Sequence, residues 1–394
     1  MAGTDIRRGG WQFWALIALS IGGVVPILGM PLIVGALADH WGYSAAYAGY
    51  ITSIDLAGLF VGAVTTSVWA NRINWKRFVG AAIVLCCVMN ILCVWFHTLG
   101  VLCALRFCAG LASGVAYSSS LTLLSRVPDT ARGFSIVIFA QVIANAIVLA
   151  VFPAIDTKWG PGGLFVTIAV VMAATLVIVP SLPGRDPRRT SASSPSTPPE
   201  HPRVAGAAIM AALCLAAVAF VYVAIGSYWA YAERMGISFG LSAGLVHHLL
   251  TASVLLSSVG CIAAYRLSRS VGQSRPLLAA LGGLSVILLI HTGSPNPVMY
   301  ILALCVVQVC WNFIDIFQLG TLAIVDPTGR YAALVPAAQG VALAAGPAAG
   351  GLALTVGQGY WAVLLLAGGA ATLATLCYSI VYLCRLRTAE PSGG

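Results

Sequence analysis

Residues 99–125 read LGVLCALRFCAGLASGVAYSSSLTLLS. At about 1.5 Å of rise per residue, a helix of this length is longer than the ~30 Å hydrocarbon core of a bilayer. Its one charged side chain is Arg106. Runs of the same kind recur along the chain, separated by short polar punctuation. Hydrophobic residues make up 60% of the 394 positions and charged residues 8%, and the mean hydropathy is +0.95. A soluble domain could carry that composition only by exposing large apolar patches, whereas lipid accepts them as its own kind.

The runs predict twelve crossings: 11–36, 45–70, 78–96, 99–125, 133–155 and 163–182, then 205–232, 242–267, 277–292, 298–325, 331–356 and 361–384. The first follows Arg7 and Arg8, as a signal peptide would, but it is too long for the apolar stretch of one and counts as a span. With the N-terminus inside, only Lys158 and Arg234 of the 20 Lys and Arg residues fall in outside connections. Arg106 lies within a span and all the others fall on the cytoplasmic side, so the positive-inside rule fixes the orientation. The long connection 183–204, PGRDPRRTSASSPSTPPEHPRV, is too rich in Pro, Ser and Arg to bury a core and reads as a flexible cytoplasmic linker. It separates a bundle over 1–182 from a second over 205–394 that ends in a short cytoplasmic tail. Thr130, Arg132, Ala140 and Gln141 recur as Thr328, Arg330, Ala338 and Gln339 at the start of spans five and eleven, which points to a duplicated six-helix unit.

Several classes fall away. The net charge of +9 is spread singly or in small groups, without the basic stripe beside aromatics that nucleic acid requires. The eleven cysteines lie in apolar runs with no CxxC and no His at ligand spacing, so they read as small core residues, not as metal ligands or disulfides. No Walker motif, HExxH, GxSxG or GxGxxG after a strand is present. The expectation is a chain that is not an enzyme, needs no cofactor and does not hydrolyse ATP.

Twelve spans, matching halves and a central cytoplasmic linker resemble the major facilitator superfamily over nearly the whole chain. Ser67, Asn71, Arg72, Asn74, Lys76 and Arg77 occupy the place of the family's Gly, Asp, Arg, Gly, Arg loop, matching its basic residues but not its acid or glycines. RLSRSVGQSR over 266–275 is a looser copy in the second half. Arg106, Gly110 and Gly114 are similar to the family's fourth-span motif of a buried arginine followed by spaced glycines. Gly346, Pro347, Gly350 and Gly351 in span eleven resemble the glycine-proline motif that the family's drug:proton antiporters carry in their fifth span, yet span five here lacks it between Ala140 and Pro153. The resemblance implies an all-α membrane protein of two pseudo-symmetric six-helix bundles that rock about a midplane site, giving secondary transport by alternating access.

Physical reasoning supplies roles for individual residues. Loop positions Asn71, Arg72, Lys76, Arg77, Arg132, Arg269 and Arg330 can cap helix C-termini or meet anionic lipid and so latch one conformation. Glycines four apart, at 110 and 114 or at 346 and 350, let helices approach closely. An ionisable group at mid-membrane costs about 2.5–3.5 kcal/mol on insertion scales, which makes Asp55, Arg106 and Asp315 candidates for the solute and proton pathway. Asp55 is a proton carrier or a structural carboxyl. Arg106, on a face continuing through Gly110, Ser113 and Tyr117, either holds a substrate carboxylate or pairs with Asp55 and releases it on protonation. Gln308, Trp311, Asn312, Asp315 and Gln318 make a polar stripe on span ten that cannot face lipid. Gln141 and Asn145 in span five and Gln339 in span eleven add amides at comparable depth, suited either to a solute with mixed polar groups or to interhelical bonding. In span seven Tyr222 is deep enough for a cavity, while Tyr228, Trp229 and Tyr231 near Glu233 read as an interfacial aromatic belt. His247 and His248 read as interfacial, and Pro26, Pro31, Gly22, Gly23 and Gly29 mark a bend in span one.

These readings predict a proton-coupled symporter of a small organic solute, working as a monomer in a bacterial-type inner membrane with both termini cytoplasmic. Its partners are the solute, protons and membrane lipid. The alternatives are a proton-coupled efflux antiporter for drugs or metabolites, and a non-transporting sensor with a transporter fold.

Overall fold

The computed structural model describes residues 3–69, 74–125, 130–182, 207–270, 272–293, 296–326, 331, 334–357 and 359–389, except for the side chains of 3–10, 130–132, 207, 268–270 and 385–389. Asn71, Arg72, Arg330 and the linker 183–204 lie outside the described residues, as do the side chains of Arg132 and Arg269. Among the described residues every regular element is a helix, because in lipid only a helix or a closed barrel pairs all its own backbone groups. In order these are α1 (Gly3–Leu28), α2 (Met30–Trp41), α3 (Ala45–Trp69), α4 (Trp75–Leu92), α5 (Leu99–Leu124) and α6 (Thr130–Ala174), with a 3₁₀ continuation over Thr175–Ser181. Then come α7 (Ala207–Ser238), α8 (Ala243–Ser270), α9 (Ser274–Gly293), α10 (Pro297–Val325), α11 (Val335–Gly357) and α12 (Tyr360–Ala389). The chain divides into two compact units, Met1–Pro195 and Ser196–Gly394.

These elements make the twelve crossings that the apolar runs predict, with two local surprises. Span one is bent at Gly29 into α1 and α2. Pro31 removes one amide from the helical ladder, and the Phe152 ring lies 2.5 Å from where a Gly29 Cβ would stand, so only glycine fits. Spans five and six are joined in α6, which turns at Gly160 with φ 60° and ψ −160°, a conformation for glycine, followed by Pro161 at the start of the next helix. Contacts with span one reveal the reversal. Moving along it, Ser20 meets Gln141, Gly29 meets Phe152 and His40 meets Asp156, so the first part of α6 runs parallel to it. Gln12 meets Ser181 and Gly22 meets Met172, so the second part runs back.

Helix ends shift for local reasons. Span three begins at Trp75 and not at 78, because the Asn74 side chain accepts the Arg77 amide at 3.3 Å and the Trp75 ring is fully buried. Span seven continues past 232 to Ser238, and α11 starts at Val335, just before Pro336, instead of at 331.

Packing in each unit centres on small residues. Between α3 and α5 a Cβ on Gly58 would stand 2.2 Å from the Phe107 carbonyl oxygen, on Gly62 2.0 Å from that of Leu111, on Gly110 2.0 Å from that of Asp55, and on Gly114 1.9 Å from that of Leu59. Each backbone thus lies against the other, where dispersion and Cα–H···O contacts replace the absent hydrophobic drive. In the second unit Gly226 and Gly346 bring α7 and α11 together, and Gly260 faces the Val309 carbonyl between α8 and α10. The units pair their helices alike: span two with four as eight with ten, and span one with five and six as seven with eleven and twelve.

One expectation is overturned by this packing. Tyr228, Trp229 and Tyr231 do not form a lipid-interface belt; all three are buried. From Ala224 to Glu233 every residue of α7 is buried, packed among α8, α10, α11 and α12.

Gly114→Ala is expected to destabilise the protein by about 1–3 kcal/mol through overpacking. Gly283→Ala, where nothing lies within 4 Å of the added carbon, should leave the melting temperature in detergent unchanged or raise it. Equal melting of the two variants would remove the argument for backbone contact.

Candidate functional site

The first unit carries a charged cluster at membrane depth. The glycine-lined approach of α3 and α5 brings Asp55 against Arg106, whose Nη2 donates to the Asp55 Oδ2. Arg106 Nη1 donates to Asn90 Oδ1 of α4 at 2.7 Å, and Asn90 Nδ2 donates to the Cys86 carbonyl at 2.8 Å. The Phe165 ring covers the guanidinium, 4.7 Å from its carbon. Arg106 is 2% exposed and Asp55 6%, so the pair is desolvated and its electrostatics unscreened. Among the described residues Asp55 Oδ1 has no hydrogen-bond partner. The pair is the one that span spacing suggests; Asn90, a lone amide in span three, was missed because nothing in its own span marks it.

The face drawn through Arg106, Gly110, Ser113 and Tyr117 is shared between neighbours. Gly110 backs onto α3, whereas the Ser113 carbonyl and Tyr117 abut Gly23 of α1, and Ser113 Oγ lies 3.4 Å from the Cys86 sulfur. Tyr117 reaches Gln141, which donates to Ser20 Oγ at 2.7 Å. One turn on, Asn145 has a buried side-chain oxygen without a partner among the described residues. Tyr117 and Gln141 therefore meet, apart from the Arg106 cluster.

In the second unit the Tyr222 hydroxyl donates to Asp315 Oδ2 at 2.7 Å. On the polar stripe of α10, Gln308 and Gln318 are buried, and Trp311, Asn312 and Asp315 are half-buried. Among the described residues, Gln308 Nε2, both amide atoms of Gln318 and Asp315 Oδ1 find no hydrogen-bond partner. Gln339 is half-buried in the first turns of α11. Sequence reading missed Tyr378 of α12, a fully buried phenol whose hydroxyl has no partner among the described residues.

His247 pairs with Glu233 across α7 and α8, Nε2 to Oε1 at 2.7 Å, a partnership between helices that no spacing in either one reveals. His248 is exposed. Lys76 and Arg77 are exposed in the first turn of α4. That is the positive end of its dipole, so they do not cap a C-terminus of their own helix and are left to meet lipid or another helix end.

A family model described as Major Facilitator Superfamily matches residues 13–325. The gallate transporter of Pseudomonas putida is 31% identical over 124 residues, 31% of this chain and 27% of that protein. The probable anion transporter 3, chloroplastic, of Arabidopsis thaliana is 30% identical over 146 residues, 36% of this chain and 28% of the relative. The 4-hydroxybenzoate transporter PcaK of Pseudomonas aeruginosa is 33% identical over 96 residues, 24% of this chain and 21% of the relative. The chain thus spans about a quarter of the length of the curated relatives it matches. Among solved structures, a bacterial homolog of the human lysosomal transporter Spinster, inward-facing and unoccupied, superposes with a TM-score of 0.72 at 12% identity, covering 98% of this chain and 99% of that one. The peptide transporter POT in complex with sulfate gives 0.75 at 14%, covering 95% and 94%. At such identities the likeness is one of fold.

Removing either half of the Asp55–Arg106 pair leaves an uncompensated buried charge. Asp55→Leu and Arg106→Leu are each expected to lose about 3–5 kcal/mol, and the double variant much less than their sum. Thermal unfolding of the three purified variants measures this, and strict additivity would mean the two groups do not act as a pair.

Proposed function

The chain belongs to the Major Facilitator Superfamily, and from that premise we propose that it is a secondary transporter, not an enzyme, that takes up a small organic anion together with a proton by alternating access. The observation that carries this reading is the buried Asp55–Arg106 pair. While Asp55 is ionised, the pair is neutral and tolerable in a low dielectric. A proton on Asp55 leaves the guanidinium charge held only by neutral Asn90 and the Phe165 face. A net positive charge at that depth is costly, and an anionic solute offsets it, so proton and anion travel best together. Arg106 is the one buried Lys or Arg among the described side chains, which leaves it without a rival for this role.

The solute class follows from the relatives' names and from the donors present. Gallate and 4-hydroxybenzoate are hydroxylated benzoates, each with a carboxylate and at least one ring hydroxyl. Tyr117, Gln141, Asn145, Tyr222, Gln308, Trp311, Asn312, Asp315 and Gln339 supply hydroxyls, amides, an indole and a carboxyl suited to such hydroxyls. The basic residues, gathered on one side of the predicted crossings, support a multi-pass orientation in a bacterial-type inner membrane with both termini cytoplasmic. Asn71, Arg72, Lys76, Arg77, Arg132, Arg269 and Arg330 then sit beside anionic lipid headgroups as conformational latches, the linker 183–204 tethers the two bundles, and the monomer is the working unit.

Purified protein in liposomes should accumulate labelled 4-hydroxybenzoate when the lumen is alkaline. Uptake should rise as external pH falls, since the proton is a co-substrate, and a protonophore should abolish the accumulation. Asp55→Asn mimics the protonated carboxyl and should cut gradient-driven accumulation by about tenfold or more while sparing exchange. Uptake equal to protein-free liposomes for both 4-hydroxybenzoate and gallate, or indifference to the protonophore, would overturn the reading.

A further inference from the structure

Asp315 meets a different environment from Asp55. Among the described residues no Lys, Arg or His stands within ion-pair distance of it, its one hydrogen-bond partner is the neutral Tyr222 phenol at 2.7 Å, and the Cys261 thiol of α8 is a further titratable group facing it. Its Oδ1 is buried without a partner. One turn further along α10, Gln318 is 1% exposed and neither of its amide atoms is bonded. The Thr321 and Tyr382 hydroxyls meet at 2.7 Å, which sets the register between α10 and α12. One turn back from Tyr382, Tyr378 lies at the level of Gln318, within electrostatic range of Asp315, fully buried and with its hydroxyl unpaired.

Unsatisfied buried oxygens cost about 1–3 kcal/mol each, and an uncompensated carboxylate in hydrocarbon costs more. A proton on Asp315 would remove the charge but leave Gln318 and Tyr378 unpaired. A divalent ion would leave a surplus positive charge against a single carboxylate. One small alkali cation both neutralises Asp315 and takes up the orphaned oxygens, since hard cations are held by carboxylate, amide carbonyl and hydroxyl oxygens.

We propose that Asp315, Gln318, Tyr378 and the Tyr222 oxygen form a sodium-binding site inside the Ser196–Gly394 unit. Sodium and a proton are alternative occupants of Asp315, so bound sodium is displaced as pH falls. The site stands independently of the Asp55–Arg106 coupling.

The test is melting of the purified full chain in NaCl against choline chloride at constant ionic strength, with no organic solute present. The melting temperature should rise saturably with sodium and not with choline, and the rise should shrink at lower pH. Gln318→Ala and Tyr378→Phe should each weaken the apparent sodium affinity by about tenfold or more, as expected for loss of one ligand to a charge. If Gln318→Ala fails to fold, Tyr378→Phe, which loses a single hydroxyl, decides alone. Identical melting in sodium and choline, or a sodium shift unaltered in both variants, overturns the proposal. Because no solute is involved, that result leaves proton-driven uptake untouched, and failed uptake leaves sodium binding standing.

Discussion

Hydrocarbon offers no hydrogen bonds, so each polar group that enters it must find its partner within the chain. That constraint makes every regular element among the described residues a helix, and the breaks within spans fall where the freed backbone is tolerated: Gly29 beside Pro31, and Gly160 before Pro161. It also sets the packing. Lipid competes equally for apolar side chains, so helices associate where backbones touch, and Gly58, Gly62, Gly110 and Gly114 supply such a seam between α3 and α5.

The same seam positions chemistry. With Gly110 against the Asp55 carbonyl, the carboxyl of Asp55 and the guanidinium of Arg106 project into one space, where Asn90 and Phe165 close around them. A close backbone contact has thus become the frame for a desolvated ion pair. The second unit repeats the pairing of helices but places a carboxyl on α10 with, among the described residues, a phenol as its one hydrogen-bond partner. Two units of like architecture therefore hold a carboxyl at depth in unlike ways: one sets it against a guanidinium, and the other against a neutral phenol.

Residues whose neighbours lie on their own helix were legible, and those whose neighbours come from another were not. The α10 stripe is an intrahelical pattern and holds. Asp55 and Arg106 could be named as partners because charge at depth demands one, although the choice of Asn90 as third member required coordinates. The aromatics of α7 were misplaced as a belt because composition alone cannot distinguish a helix at the bundle edge from one at its centre. The Glu233–His247 bridge and the level of Tyr378 with Gln318 depend on register between helices.

The sequence by itself determined what each segment must be solvated by. Twelve apolar runs, sparse charges and basic residues on one side of the crossings specify helices in lipid and a family likeness, because transfer energies are local sums over residues. Only the tertiary structure decided which costly groups meet. Rotation and register of one helix against the next arise from many small contacts at glycine-lined seams, and no periodicity within a single span encodes them.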